Sequence, residues 1–232
     1  MSSLKFKELT EDRKWEIVED YMGDYWWEPI IEEAVEELEE HGFDDADIQF
    51  TGFWSQGDGA SFTCKHIDVT RFIKKHWSEM KFRSNQIESW EESAKLGLDG
   101  LLQLGFEGHQ LGIIRPVLNI FLEDDSALMY GSVDRGNSRY FHENSTTLNL
   151  DFEDWEVVED PEDRDLEHWS FTQDDERELI DFYKHLESWM EDWIRSWNSN
   201  LYKKLEKQYW EYRDELYKEF EEENETWKEF RE

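Results

Sequence analysis

Toward the C-terminus, apolar residues recur every three or four positions: Leu179, Phe182, Leu186, Trp189, Trp193, Trp197, Leu201, Leu205, Tyr209, Tyr212, Leu216 and Phe220. No proline interrupts residues 172–228, so this period predicts one or two long helices. Asn198-Ser199-Asn200 is the weakest point in the run. A continuous helix of about 50 residues would span about 75 Å and outrun a compact core. The stripe therefore predicts a fold-back hairpin or a seam with a second subunit, a homodimer.

The same period appears near the N-terminus. Thr10 followed by Glu11 and Asp12 is a helix start, because acids stabilise the positive end of the helix dipole. Trp15, Val18 and Met22 then share a face. Pro29 opens a second helix, in which Ile31, Ala34, Val35 and Leu38 form the apolar stripe and Gly42 the stop. Between these regions the pattern changes to strands. Residues 47–54 and 61–69 flank a glycine-punctuated connection and read as a hairpin. Thr70 caps a helix carrying Phe72, Ile73, His76, Trp77 and Met80. Residues 84–104 are ambiguous, and further strands fall at 112–122, 128–133 and 140–152. The fold class is α+β: acidic N-terminal helices (1–44), a β-rich centre with a small antiparallel sheet (45–171) and a long helical C-terminal region (172–232).

Charge changes the picture most. The formal net charge is −34 over 232 residues, yet 38% are hydrophobic and 16% aromatic, including 13 tryptophans. Such a chain can bury a core while staying anionic, unlike an acidic disordered polymer. It repels nucleic acid and anionic membranes and attracts basic proteins over long range. A folded monomer of this length exposes on the order of 11,000 Å². Its averaged charge is then about threefold more dilute than that of duplex DNA. Resemblance to DNA requires acids gathered on one face. In the second helix Glu32, Glu33, Glu36, Glu37, Glu39 and Glu40 fill the surface outside the apolar stripe. The spacing Glu32, Glu36, Glu40 sets carboxylates about 6 Å apart.

Signals for chemistry are few. Cys64 is the single cysteine, which excludes an internal disulfide and any multi-cysteine metal site. The seven histidines form no metalloprotease pattern, and no metal or cofactor is expected. Ser61, Cys64 and His66 share one strand without forming a triad, and no enzyme activity is expected. The stretch from Gly52 through Phe53, Trp54, Ser55, Gln56, Gly57, Asp58, Gly59, Ala60 and Ser61 to Phe62 lacks the lysine of a phosphate loop. It reads as a structural hairpin in which Trp54 and Phe62 pack in the core and Asp58 braces the turn.

That stretch resembles a signature of bacteriophage and prophage-encoded proteins. Arg139-Tyr140-Phe141-His142-Glu143-Asn144-Ser145 resembles a strand start in the same family. The run Leu201-Tyr202-Lys203-Lys204-Leu205-Glu206-Lys207-Gln208-Tyr209 is similar to its C-terminal helix. The resemblance spans about residues 45–220 and leaves the acidic N-terminal helices outside. It implies a phage context, in which small acidic proteins neutralise host DNA-binding defences, and it implies no mechanism.

Together these features predict an acidic inhibitor in the host cytoplasm that occupies the basic, nucleic-acid-binding surface of a host protein. It would bind neither nucleic acid nor membrane itself. The expected contacts are Glu32, Glu33, Glu36, Glu37, Glu40, Asp44, Asp45 and Asp47, with the tail acids Glu221, Glu222, Glu223 and Glu225 second. An alternative is a regulator that binds a host protein through its aromatic helical seam. An enzyme of unknown type is a third reading.

Overall fold

A single helix of 51 residues, Gln173–Glu223, is the element on which the others are laid. A computed structural model describes residues 3–22, 27–76, 129–136, 140–152, 156–163, 170–223 and 226–228. In chain order the elements are β1 (Ser3–Lys5), α1 (Glu11–Met22), α2 (Glu28–Glu40), β2 (Phe43–Asp44), β3 (Asp47–Phe50), β4 (Ala60–Thr63), β5 (His66–Ile67) and α3 (Val69–His76). They continue with β6 (Met129–Arg135), β7 (Thr146–Phe152), β8 (Glu156–Val157), β9 (Ser170–Phe171), the long helix α4 and β10 (Thr226–Lys228). The fold is α+β, as the alternation of periods implies. The ambiguous stretch 84–104 and the strand expected at 112–122 lie outside the described residues.

The sequence signals account for the N-terminal elements. The Thr10 hydroxyl accepts the Arg13 N–H at 3.4 Å and caps α1. Pro29 sits in the first turn of α2, where a missing N–H costs nothing. Gly42 ends α2 in the left-handed region at φ +91°. Its carbonyl then receives the Asp68 N–H at 2.8 Å, tying the end of α2 to the start of α3. The cap of α3 differs from expectation. Asp68, not Thr70, accepts the Arg71 N–H, at 2.8 Å, because the helix starts one residue before Thr70.

The aromatic stripe of α4 needs neither a fold-back hairpin nor a second subunit. Residues 6–72 run broadly antiparallel along it and cover it from Trp189 to Phe220. At its C-terminal end Phe6 packs on Tyr217 and Phe220. Farther back, Trp27 stacks on Tyr209 with ring centroids 6.0 Å apart. Phe62 meets Trp197, His41 and Phe43 meet Trp193, and Phe72 meets Trp189. Buried residues from the N-terminal helices, the β-rich centre and α4 all belong to one hydrophobic cluster.

Asn198, placed in the middle of that stripe, has a structural reason. It is wholly buried, and its Oδ1 accepts the Phe62 N–H at 3.3 Å. β4 pairs with β3 on one side, from Asp47↔Thr63 to Phe50↔Ala60. On its other side, among the described residues, Cys64 alone bridges to Val133 of β6. The Phe62 donor on that edge would be left buried and unmatched without a polar side chain from the helix. The strands form short pairs and not one continuous sheet: β1–β10, β2–β5, β3–β4 and β6–β7 are antiparallel, and β8–β9 is parallel.

Because the stripe is buried within the chain, Leu205→Ala should cost about 2–5 kcal/mol and Phe62→Ala about 3–5 kcal/mol. Trp54→Ala should cost about 1 kcal/mol, the worth of edge contacts between rings. Chemical denaturation of the three variants checks this order. A Trp54→Ala cost equal to that of Phe62→Ala would contradict the packing.

Candidate interaction surfaces

The acids of α2 divide into two faces. Glu33, Glu37 and Glu40 lie along one side of the helix and are engaged within the molecule. Glu33 pairs with Lys204 of α4 at 2.6 Å. Glu37 accepts the Trp197 indole N–H at 3.3 Å. Glu40 pairs with Lys75 of α3 at 2.8 Å, and that ammonium holds its carboxyl below the usual carboxylate range. Glu28, Glu32, Glu36 and Glu39 lie along another side of the helix, and all seven acids are exposed. Among the described residues none of these four side chains meets a cation.

The other expected contacts are also divided. Asp44 pairs with Arg71 at 2.7 Å. Asp45 is exposed in the β2–β3 turn and holds φ 53°, a left-handed conformation that Asp tolerates better than most residues. Asp47 is exposed and accepts the Gln49 amide at 2.7 Å. Glu221 meets Lys14 at 3.4 Å. Glu222 and Glu223 are exposed in the last turn of α4, and Glu225 lies outside the described residues. The two acidic groups are thus reduced to an open stripe on α2 with the turn after it, and the last turn of α4.

The glycine loop departs from expectation in one respect. Phe62 is fully buried, but Trp54 is 64% exposed. Asp58 does brace the turn: one carboxylate oxygen accepts the N–H groups of Trp54 at 2.7 Å and Ser55 at 2.6 Å. Burial raises the Asp58 pKa, but hydrogen bonds from the Ser55 and Trp54 backbone and from the Ser55 and Thr51 hydroxyls outweigh it and hold the carboxyl below its ordinary value. The glycines serve close approach. A Cβ on Gly52 would lie 2.6 and 2.7 Å from Trp54 ring carbons, and one on Gly57 would lie 2.7 Å from the Tyr140 ring. Gly59 faces the Phe141 carbonyl, which a Cβ would approach to 2.7 Å. No local sequence signal marks Trp54 as exposed, because the role of Gly52 is steric and shows only with the indole in place.

All three stretches that carry the phage-protein resemblance meet here. The loop packs on Tyr140, Phe141 and His142, while Tyr202 of α4 donates its hydroxyl to the Gly52 carbonyl at 3.4 Å. Phe53 is buried against Tyr202 and Tyr209.

Residues weighed for catalysis are placed differently. Ser61 and Cys64 are buried while His66 is exposed. The Cys64 thiol donates to the His66 carbonyl at 2.7 Å, and burial pushes its pKa up to about 11, so it is not a thiolate at neutral pH. Among the described residues no three His, Cys, Asp or Glu side chains could hold a metal ion. Among them, too, no helix is long and apolar enough to cross a membrane.

A family model described as a domain of unknown function (DUF8835) matches residues 26–215, and the chain belongs to that family. The matched span takes in α2, which the phage-protein resemblance left outside, and excludes α1. No curated protein and no solved structure matches the chain.

Asp58 generates a pH prediction. Its folded pKa is depressed, so its contribution is complete above the unfolded carboxyl value of about 3.9 and is lost as pH falls through the lower folded value. Asp58→Asn should melt below wild type at pH 7, and the gap should close as the pH drops below about 4. Calorimetric melts across that range check it. A gap that persists at acid pH would mean that the carboxylate charge is not what braces the loop.

Proposed function

We propose that this protein is a phage-encoded, non-catalytic inhibitor. It acts in the host cytoplasm by occupying the basic nucleic-acid-binding surface of a host defence or DNA-processing protein. The observation that carries this reading is the open stripe of Glu28, Glu32, Glu36 and Glu39 on α2. Four carboxylates over about 17 Å of helix axis give about one charge per 5.5 Å. A single DNA strand carries one per about 3.4 Å. The local density is therefore closer to that of DNA than the averaged surface is.

Physical cost supports the reading too. Like charges at this spacing destabilise a helix by a few tenths of a kcal/mol each. The acids on the other face offset that cost through Lys204, Trp197 and Lys75, whereas the open stripe has no such compensation among the described residues. Uncompensated carboxylates gain most by meeting a basic surface, and distributed charge accelerates that encounter. Binding through the long aromatic stripe is not favoured, because the chain covers that stripe itself.

The test begins with the partner captured from nuclease-treated bacterial lysate. Duplex DNA and this protein should compete for it. Raising salt from about 0.05 to 0.2 M, which shortens the Debye length from about 14 to 7 Å, should weaken the complex steeply. Reversing Glu32, Glu36 and Glu39 to Lys should slow association before it speeds dissociation and should leave the melting temperature unchanged. Simultaneous binding of DNA and this protein, with little salt dependence, would defeat the proposal.

A further inference from the structure

Three large hydrophobic side chains among the described residues stand mostly in water, and two of them, Trp54 at 64% and Tyr140 at 57%, border the glycine loop. Both rings lie against glycine backbone with no room for a Cβ beneath them, so each is seated although more than half exposed. Trp54 is further held edge-on by Tyr209, at 5.4 Å between centroids, and by Trp210, at 6.5 Å. A rigid exposed indole loses little conformational freedom on binding, which suits a recognition platform.

The surroundings select the ligand. Asp58 lies directly under the Trp54 backbone. Burial first, then the charges of Glu206 and Asp58, push up the pKa of Tyr202, so two carboxylates border this aromatic wall. The same wall already holds a guanidinium on its far side: Arg213 sits 4.3 Å from the ring centroids of both Trp15 and Trp210. Carboxylates repel a nucleotide phosphate and attract a cation. Among cations, the planar and weakly hydrated guanidinium stacks on an indole face better than an ammonium does.

We infer that the Trp54 face, with Tyr140 beside the same loop and Asp58 below it, receives an arginine side chain of the bound basic partner. This rests on the proposed function and names the chemistry its anchor recognises. The acidic stripe on α2 supplies long-range attraction, whereas the Trp54 platform distinguishes arginine from lysine.

The test uses an oligo-arginine peptide, an oligo-lysine peptide of equal length and oligo-dT, each titrated calorimetrically into the full chain in about 0.15 M salt. The wild type should bind the arginine peptide about three- to tenfold more tightly than the lysine peptide. Trp54→Ala should bring the two affinities together, Trp54→Phe should keep part of the preference, and both variants should melt near wild type because the ring is exposed. Reversing Glu32, Glu36 and Glu39 to Lys should weaken both peptides and leave their ratio intact. An unchanged ratio in a folded Trp54→Ala overturns the arginine site while leaving the acidic-stripe reading standing. Stripe reversal without effect on either peptide undermines that reading while the site survives. Oligo-dT binding that exceeds both peptides and disappears in Trp54→Ala overturns the inference in favour of base stacking.

Discussion

A helix of 51 residues with an aromatic stripe along it cannot exist in water uncovered, and everything described here follows from how that stripe is covered. The chain solves the problem by running residues 6–72 back along α4, broadly in the opposite direction. Phe6, Trp27, His41, Phe43, Phe62 and Phe72 each meet an aromatic of α4 in turn. Trp193 gathers His41, Phe43, Phe72 and His76 around one ring. Asn198 enters this seam as a buried amide, and its Oδ1 satisfies a strand edge that the helix covers.

Covering an acidic helix with acidic helices raises a second constraint, because the joints bring like charges together. Four of the scarce cations stand at those joints. Lys14 joins α1 to α4, Lys204 joins α4 to α2, Lys75 joins α3 to α2, and Arg71 joins α3 to β2. Each pair is partly exposed and individually worth little. Their placement still removes repulsion where elements must touch and leaves it where they do not. The last turn of α4 shows the same logic. Its acids face an unfavourable helix dipole, and Lys14 together with the β1–β10 pairing holds that end in place. Charge left over on the outer face of α2 is available to a partner.

Much of this was legible in the sequence. The caps and apolar stripes of α1 and α2, the β3–β4 hairpin and the helical period of α4 follow from local rules that neighbouring residues satisfy themselves. What covers α4 was not legible, since an apolar stripe states that it must be buried and not by what. The division of the α2 acids was not readable. On a helical wheel Glu33 and Glu39 stand equally far from Ala34 and Leu38, as do Glu40 and Glu32, and only the cations of α3 and α4 separate the two sets. Residue type alone places Trp54 in the core, because large aromatic residues are mostly buried. The steric role of Gly52 emerges only when the ring and the backbone are seen together. Asn198 looked like a weak point in the helix because its partner, the Phe62 N–H, lies far away in the chain.

The antiparallel covering of α4 is tested most directly by zero-length carbodiimide cross-linking of the native chain, read by peptide mass spectrometry on a mixture of isotopically labelled and unlabelled protein. Carboxylates and ammonium groups in contact become amides. The structure predicts links from Glu33 to Lys204, Glu40 to Lys75 and Glu221 to Lys14. All three should form within single chains, with no mixed-isotope products. Links at these positions carrying one label from each chain would show that a second subunit covers the stripe. Links joining Lys204 to acids elsewhere on α4 in place of Glu33 would show that the helix folds back on itself.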